Sequence, residues 1–452
     1  MSSVLLQQGG QTAMQHVQDG RFAMPASALA SKTILRLCSW SERPFFNTQR
    51  VHFVSSDSKG WYMLPYLVGS MTTHLVLDIR SDGLEQQLAQ HLVAMKSAFL
   101  NVLNLATNLK TLVVKVEREH ERVFEVLSGF VASLPSLRKI QVPLGSSPLP
   151  HALFHLASSK HLVFADLTIY PGSLDLDQLQ FPSNAFPNLC TLYFTSKISI
   201  YTPLIRSIRS STLNSVRLTF HEHSPCPTET FHMLIQATCC ATSSLQVFEL
   251  TIIAPTSHRQ LSNLPTAAIL LPLFAHRKLE ELVIDFGVSI QLTDADIDTI
   301  AHMWPSCRKL RLIPVNAERR NGEVMGWMPK TSPRGIIALL YHLEELKELA
   351  VEFDANSLDV DGIEDDESYF PGSEWQPAAG WDGPLQARRT SPLEMFDVGK
   401  SAAGDPLRVA GWLGVLCPRL EELRWTGDSE GWARTRLVLR KIQQLYGSYA
   451  FG

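Results

Sequence analysis

The sequence predicts an α/β solenoid, a stack of strand–helix units with a parallel sheet on one face and helices on the other. Three observations predict it. The phrase apolar-x-x-apolar-x-apolar occurs ten times along the 452 residues. The stretches between copies switch from a strand period of two to a helical period of 3.6. No glycine-rich GxGxxG turn is present to suggest a nucleotide-binding α/β sheet instead.

The first copy is Leu109, Leu112, Val114, followed by Leu137, Ile140, Val142 and a weaker Leu162, Ala165, Leu167. Leu189, Leu192, Phe194 and Leu213, Val216, Leu218 come next. Leu245, Phe248, Leu250 and Leu279, Leu282, Ile284 continue the series. Cys307, Leu310, Leu312, then Leu346, Leu349, Val351, then Leu420, Leu423, Trp425 complete it. First positions lie 24 to 39 residues apart, except for 74 between Leu346 and Leu420. A period of roughly 20–29 residues, stretched in places, is that of a leucine-rich repeat. The physical logic is that the first apolar residue turns inward before a strand and the later two alternate into the core. Polar residues between them, such as Lys115 and Glu352, then face out from the sheet. The expected fold is a leucine-rich-repeat horseshoe of about ten irregular repeats over 61–452, with a concave parallel sheet and convex helices.

The helices are predicted by apolar stripes. Leu84, Leu88, Leu92, Met95, Phe99 and Leu103 hold one face over five turns, and Val123, Leu127, Phe130 and Val131 do the same before Leu137. Thr293 with Asp296 three residues on suits an N-cap. Its stripe is Ile297, Ile300, Ala301 and Trp304, and Pro305 ends it. Further helices are expected at Thr228–Ala241, Gly335–His342, Pro406–Leu416 and Gly431–Leu445, the last capping the end of the array.

Composition narrows the function. Hydrophobic residues make up 45% and charged residues 19%, ordinary for a globular chain. Forty basic against 44 acidic residues give a net charge of -4, with no basic excess for a phosphate backbone, so no nucleic acid is expected. The start, MSSVLLQQGGQTAM, lacks a basic and then apolar secretion signal. The longest apolar run, Leu264 to Ala275, is broken by Pro265 and Pro272 and is too short for a bilayer. Seven irregularly spaced cysteines read as reduced thiols, which points to cytoplasm or nucleus.

Two regions depart from the repeat. Residues 1–60 are polar and Gln-rich up to Gly20, read as disordered, and then carry a short helix-like run. At about 354–405 an acidic insertion shows no sustained periodicity, and Asp354–Ala387 contains no Lys or Arg. Its Tyr369, Phe370, Trp375 and Trp381 make it a candidate partner-docking loop, with a tolerated solvated excursion as the alternative. Asp359-x-Asp361-Gly362 lacks the remaining ligands of an EF-hand. The small basic stretch Ala317–Thr331, with Arg319, Arg320 and Lys330, reads as solvated.

Catalytic motifs are missing: there is no GxxxxGK[ST], GxSxG or HExxH, so no enzyme and no cofactor are expected. His221, Glu222, His223, Cys226, Cys239 and Cys240 offer zinc-type atoms without CxxC or HxxxH spacing, so no metal is assigned and a polar loop beside packed thiols is the reading. Ser332-Pro333 and Ser391-Pro392 are formal phosphate acceptors.

Leu37, Cys38 and Trp40, followed by Phe45, Phe46 and the strand-like Arg50 to Phe53, resemble the end of the F-box and the lead-in of fungal F-box/leucine-rich-repeat proteins. Leu292-Thr293-Asp294 through Met303-Trp304-Pro305 and Leu310-Arg311-Leu312 are similar to a phrase of the same family. The repeat resemblance runs from about Leu67 to the last residue. The only candidate F-box opening, Met24-Pro25, lies too close to Trp40 to hold the full three-helix unit, so the F-box is incomplete. The resemblance implies a non-catalytic substrate-recognition protein for a Skp–cullin ubiquitin ligase. It would contact the Skp adaptor through Ile34, Leu35, Leu37 and Trp40, whose alternative is packing on the first repeat. A stand-alone interaction scaffold is the second implication. Either way, a monomer with a protein partner on the concave face and no membrane contact is expected.

Overall fold

The computed structural model describes the strands at 4–8, 11–15 and 21–25 and residues 49–449, except 56–57, 81–83, 119, 135, 146–148, 171–180, 223–226, 254–264, 315–327, 360–390 and 427–428. The chain forms two units, Met1–Leu213 and Asn214–Gly452. Each is a leucine-rich-repeat solenoid, with parallel strands laid down in sequence order and helices between them.

In the first unit, β1 (Val4–Gln8) and β2 (Gln11–Gln15) pair antiparallel by themselves. The parallel strands are β3 (Arg21–Pro25), β4 (Arg50–Ser55), β5 (His74–Ile79), β6 (Thr111–Val116), β7 (Lys139–Leu144), β8 (Phe164–Ile169) and β9 (Thr191–Ser196). Six core positions share one register row: Val51, Leu75, Leu112, Ile140, Ala165 and Leu192. All are at most 2% exposed. The helices are α1 (Ser58–Trp61), α2 (Leu64–Leu67), α3 (Leu84–Leu105), α4 (Glu121–Val131), α5 (Leu149–Ser158) and α6 (Ile198–Ser207). Trp61 on α1 packs edge-on to Phe99 of α3, and its indole N–H donates to Nε2 of the buried His91 at 2.8 Å. The α3 stripe that packs is Met95, Phe99 and Val102 with the small Ala94 and Ala98, while the expected Leu88, Leu92 and Leu103 are half-buried.

The second unit runs β10 (Ser215–His221), β11 (Val247–Ile253), β12 (Glu281–Asp285), β13 (Lys309–Arg311), β14 (Glu348–Ala350), β15 (Met395–Asp397) and β16 (Glu422–Arg424). Its register row is Val216, Phe248, Leu282, Leu310, Leu349, Phe396 and Leu423, all buried. Helices α7 (Thr228–Ala241), a 3-10 segment (Ala267–Ala275), α8 (Asp294–Met303), α9 (Pro333–His342), α10 (Pro406–Leu416) and α11 (Ser429–Tyr449) complete it. The middle positions of all ten sequence copies therefore lie in one of the two rows. Thr293 makes the expected capping box with Asp296, whose carboxylate accepts from the Thr293 N–H at 2.8 Å.

The repeats share one backbone device. In most repeats the carbonyl of the residue after the first motif position accepts two N–H groups from the next repeat. Lys110 O takes Arg138 and Lys139 N at 2.8 and 3.0 Å, and Gln246 O takes Glu280 and Glu281 N at 2.7 and 3.0 Å. The fork turns the chain into each strand at the same point and holds the register.

The structure adds a repeat inside the region read as an aperiodic insertion. Leu393, Phe396 and Val398 have the motif spacing, are fully buried, and form β15 between β14 and β16. A three-residue strand after a long acidic segment leaves too brief a periodic signal to stand out. Val398 is followed by Gly399 at φ 58°, where an added Cβ would lie 2.6 Å from a carboxylate oxygen of Glu352. That close approach requires glycine.

Candidate functional site

Because inward residues alternate with outward ones, the register that aligns the core also aligns the opposite face of the sheet. In the second unit that face is a lattice of charge. Outward Ser215, Val247, Glu281, Lys309, Glu348, Met395 and Glu422 share one row. Arg217 reaches Glu249 at 3.4 Å and Glu281 at 3.5 Å, and Lys309 meets Glu348 at 2.8 Å. At the strand entrances Asn214 donates to Gln246 at 3.2 Å, Arg308 approaches Glu280 at 3.9 Å, and Lys347 meets Glu394 at 3.0 Å. These pairs are half-exposed, so solvent screening leaves each with little effect on stability. Their arrangement sets charges of opposite sign side by side on this face.

One pair differs. Arg311 on β13 reaches across β14 to Asp397 on β15, Nη2 to Oδ2 at 3.1 Å, with side chains only 7% and 6% exposed. Ala350, the outward residue of β14 in that row, is small enough to let them meet. The second carboxylate oxygen of Asp397 accepts from Gly399 N at 3.1 Å. Glu422 and Arg424 on β16 make two further bonds at 2.7 and 2.8 Å, which hold the Glu422 carboxyl below its ordinary range.

The first unit's face has another character. Phe164 and Tyr193 pack edge to face at 5.3 Å between centroids. His74 is pushed below the usual imidazole range by burial, and then by the positive field of Arg50, Lys139 and Lys110. Burial raises the Asp166 carboxyl. This face is aromatic and basic where that of the second unit is paired charge.

Ile34, Leu35, Leu37 and Trp40, and Tyr369, Phe370, Trp375 and Trp381, lie outside the described residues, as do His223, Cys226 and Asp361. The Cys239 thiol is pushed up to about 12, first by burial and then by Cys240, as in a packed thiol. Ser332 and Ser391 have structural uses. The Ser332 hydroxyl caps α9 and donates to Asp294 at 2.6 Å, and Ser391 is buried.

No family model matches the chain, and neither does any curated protein. Among solved structures it is similar to the leucine-rich-repeat ectodomain of the plant membrane receptor kinase GASSHO1/SCHENGEN3 from Arabidopsis thaliana, solved in complex with CASPARIAN STRIP INTEGRITY FACTOR 2. Identity is 10% and the TM-score 0.27, over 85% of this chain and 36% of that one, so the chain spans about a third of that ectodomain's length. Among the described residues, no helix is long and apolar enough to cross a membrane.

Proposed function

We propose that this chain is a non-catalytic protein-binding scaffold that presents the outward face of its repeat sheet to a partner. The observation that carries the proposal is the register of outward side chains, which sets ion pairs in ordered rows across β10–β16. A rigid sheet holds such groups in place before a partner arrives, and this lowers the entropy cost of binding. Its more specific form is F-box-like substrate recognition for a Skp–cullin ubiquitin ligase in cytoplasm or nucleus, with adaptor contact through Ile34, Leu35, Leu37 and Trp40. Support comes from the resemblance at Leu37 to Phe53 and Leu292 to Leu312. One observation favours the stand-alone scaffold instead: Met24-Pro25 lies in β3, paired parallel with β4, rather than opening a helix.

Co-expression with a Skp adaptor tests the choice. The ligase form predicts that the adaptor co-elutes with the full chain and is lost with the Leu37→Asp/Trp40→Ala variant. No co-elution with the unaltered chain removes the ligase form and leaves the scaffold. The scaffold itself predicts that a captured partner is released by Lys309→Glu/Lys347→Glu and retained by Arg440→Glu on α11. Equal retention in both variants contradicts it.

A further inference from the structure

On the helical side of the second unit, Asp298, His302 and His342 bring one metal-type donor atom each within 4.8 Å of the others. We propose that these three side chains form a site for a divalent transition-metal ion that ties α8 to α9.

The geometry follows from helical spacing. Asp298 and His302 are four residues apart on α8 and so share a face. His342 is the last residue of α9, and its ring centroid lies 4.3 Å from that of His302. The Nδ1 of His302 lies 2.8 Å from the backbone carbonyl oxygen of Asp298. A carbonyl only accepts, so Nδ1 carries the hydrogen and Nε2 keeps its lone pair. Such a bond to the second ring nitrogen is the usual way a ligating imidazole is oriented.

Electrostatics agrees. His302 and His342 both stand in the last turn of their helices, where unpaired carbonyls leave partial negative charge and favour a cation. The donor set, two imidazoles and a carboxylate, is one that transition metals take. Zinc bonds of about 2.0–2.1 Å place tetrahedral donors roughly 3.3 Å apart. The three donor atoms already lie within 4.8 Å of one another. The exposed side chains of His302 and Asp298, at 55% and 46%, can turn to bring the set closer to His342. Two imidazoles select zinc, cobalt, nickel or copper over calcium and magnesium, which take oxygen donors. Three protein ligands leave a fourth position for water or a partner's side chain.

The test uses the untagged, metal-free full chain. Co2+ is followed by its visible absorption and Zn2+ by calorimetry, for the unaltered chain, His302→Gln, His342→Gln, Asp298→Asn, and His221→Gln as a control. The site predicts one ion per chain, binding weakened at least about tenfold by each ligand change, and no effect of the control. It also predicts that Zn2+ raises the thermal midpoint of the unaltered chain and not that of the ligand variants. No uptake, or equal uptake by the ligand variants, overturns the proposal. Should a variant fail to fold, Cu2+ broadening of histidine ring signals in the unaltered chain decides. Broadening at His302 and His342 supports the site, and broadening confined to other histidines overturns it.

Discussion

Replacing Asp397 with alanine is expected to cost roughly 3–5 kcal/mol of unfolding free energy, because it leaves the Arg311 guanidinium buried without its counter-charge. The two side chains are 3.1 Å apart and more than nine-tenths buried, and among the described residues the buried Arg311 Nε has no hydrogen-bond partner. Arg311 therefore depends on Asp397, and the loss comes from an uncompensated charge more than from a missing contact. Two companion variants separate these causes. Asp397→Asn keeps an acceptor toward Arg311 and should lose less. The double change Arg311→Met/Asp397→Leu removes both charges and should sit near the unaltered stability, within a few kcal/mol. Urea unfolding followed by far-ultraviolet dichroism reads all three. A double variant as weak as Asp397→Ala would mean that the pair is not what the site requires.

Phe396→Ala is the second large effect, also expected at about 3–5 kcal/mol. Phe396 is fully buried and stacks on Phe353 at 5.8 Å, and Phe353 in turn meets Trp412 at 5.8 Å and Trp432 at 6.2 Å. Truncation opens a cavity beside Phe353, whose ring is held by Trp412 and Trp432 and so has little freedom to relax. Phe396→Leu, which keeps most of the volume, should cost less than about 1.5 kcal/mol. A residue in a solvated insertion would behave otherwise, with an alanine change inside about ±0.5 kcal/mol. The same urea unfolding separates these outcomes.

Much of the fold was legible because burial is periodic. The middle positions of ten motif copies, Leu112 through Leu423, lie in the aligned core rows, and α7 and α10 have the predicted bounds. Of the parallel strands outside the ten copies, β5 and β15 escaped for different reasons. Thr72 stands where a leucine was sought before Leu75 and Leu77, and it is tolerated there because its hydroxyl accepts from Gly69 N at 3.0 Å. Leu393, Phe396 and Val398 carry the motif but follow the acidic stretch, and β15 is only three residues long.

The candidate sites were less legible. Arg311 and Asp397 are 86 residues apart and meet because register places them on either side of β14. A single sequence gives no such pairing without the intervening strand count, and that count was one repeat short. Asp298 and His302 are readable as a helical pair, yet His342 joins them only through the packing of α8 on α9. The residues expected to contact a Skp adaptor and the aromatics of the expected docking loop fall outside the described residues.

Hydrogen exchange on the native chain tests the repeat ladder most directly, read at the amides of Glu394 and Met395. Both donate to the carbonyl of Lys347, at 2.9 and 3.0 Å, in the fork that most of the repeats make. They should be protected to the same degree as Glu280 and Glu281, which make the equivalent bonds to Gln246. Exchange at Glu394 and Met395 as fast as in an unstructured peptide, with Glu280 and Glu281 still protected, would contradict an unbroken ladder from β10 to β16.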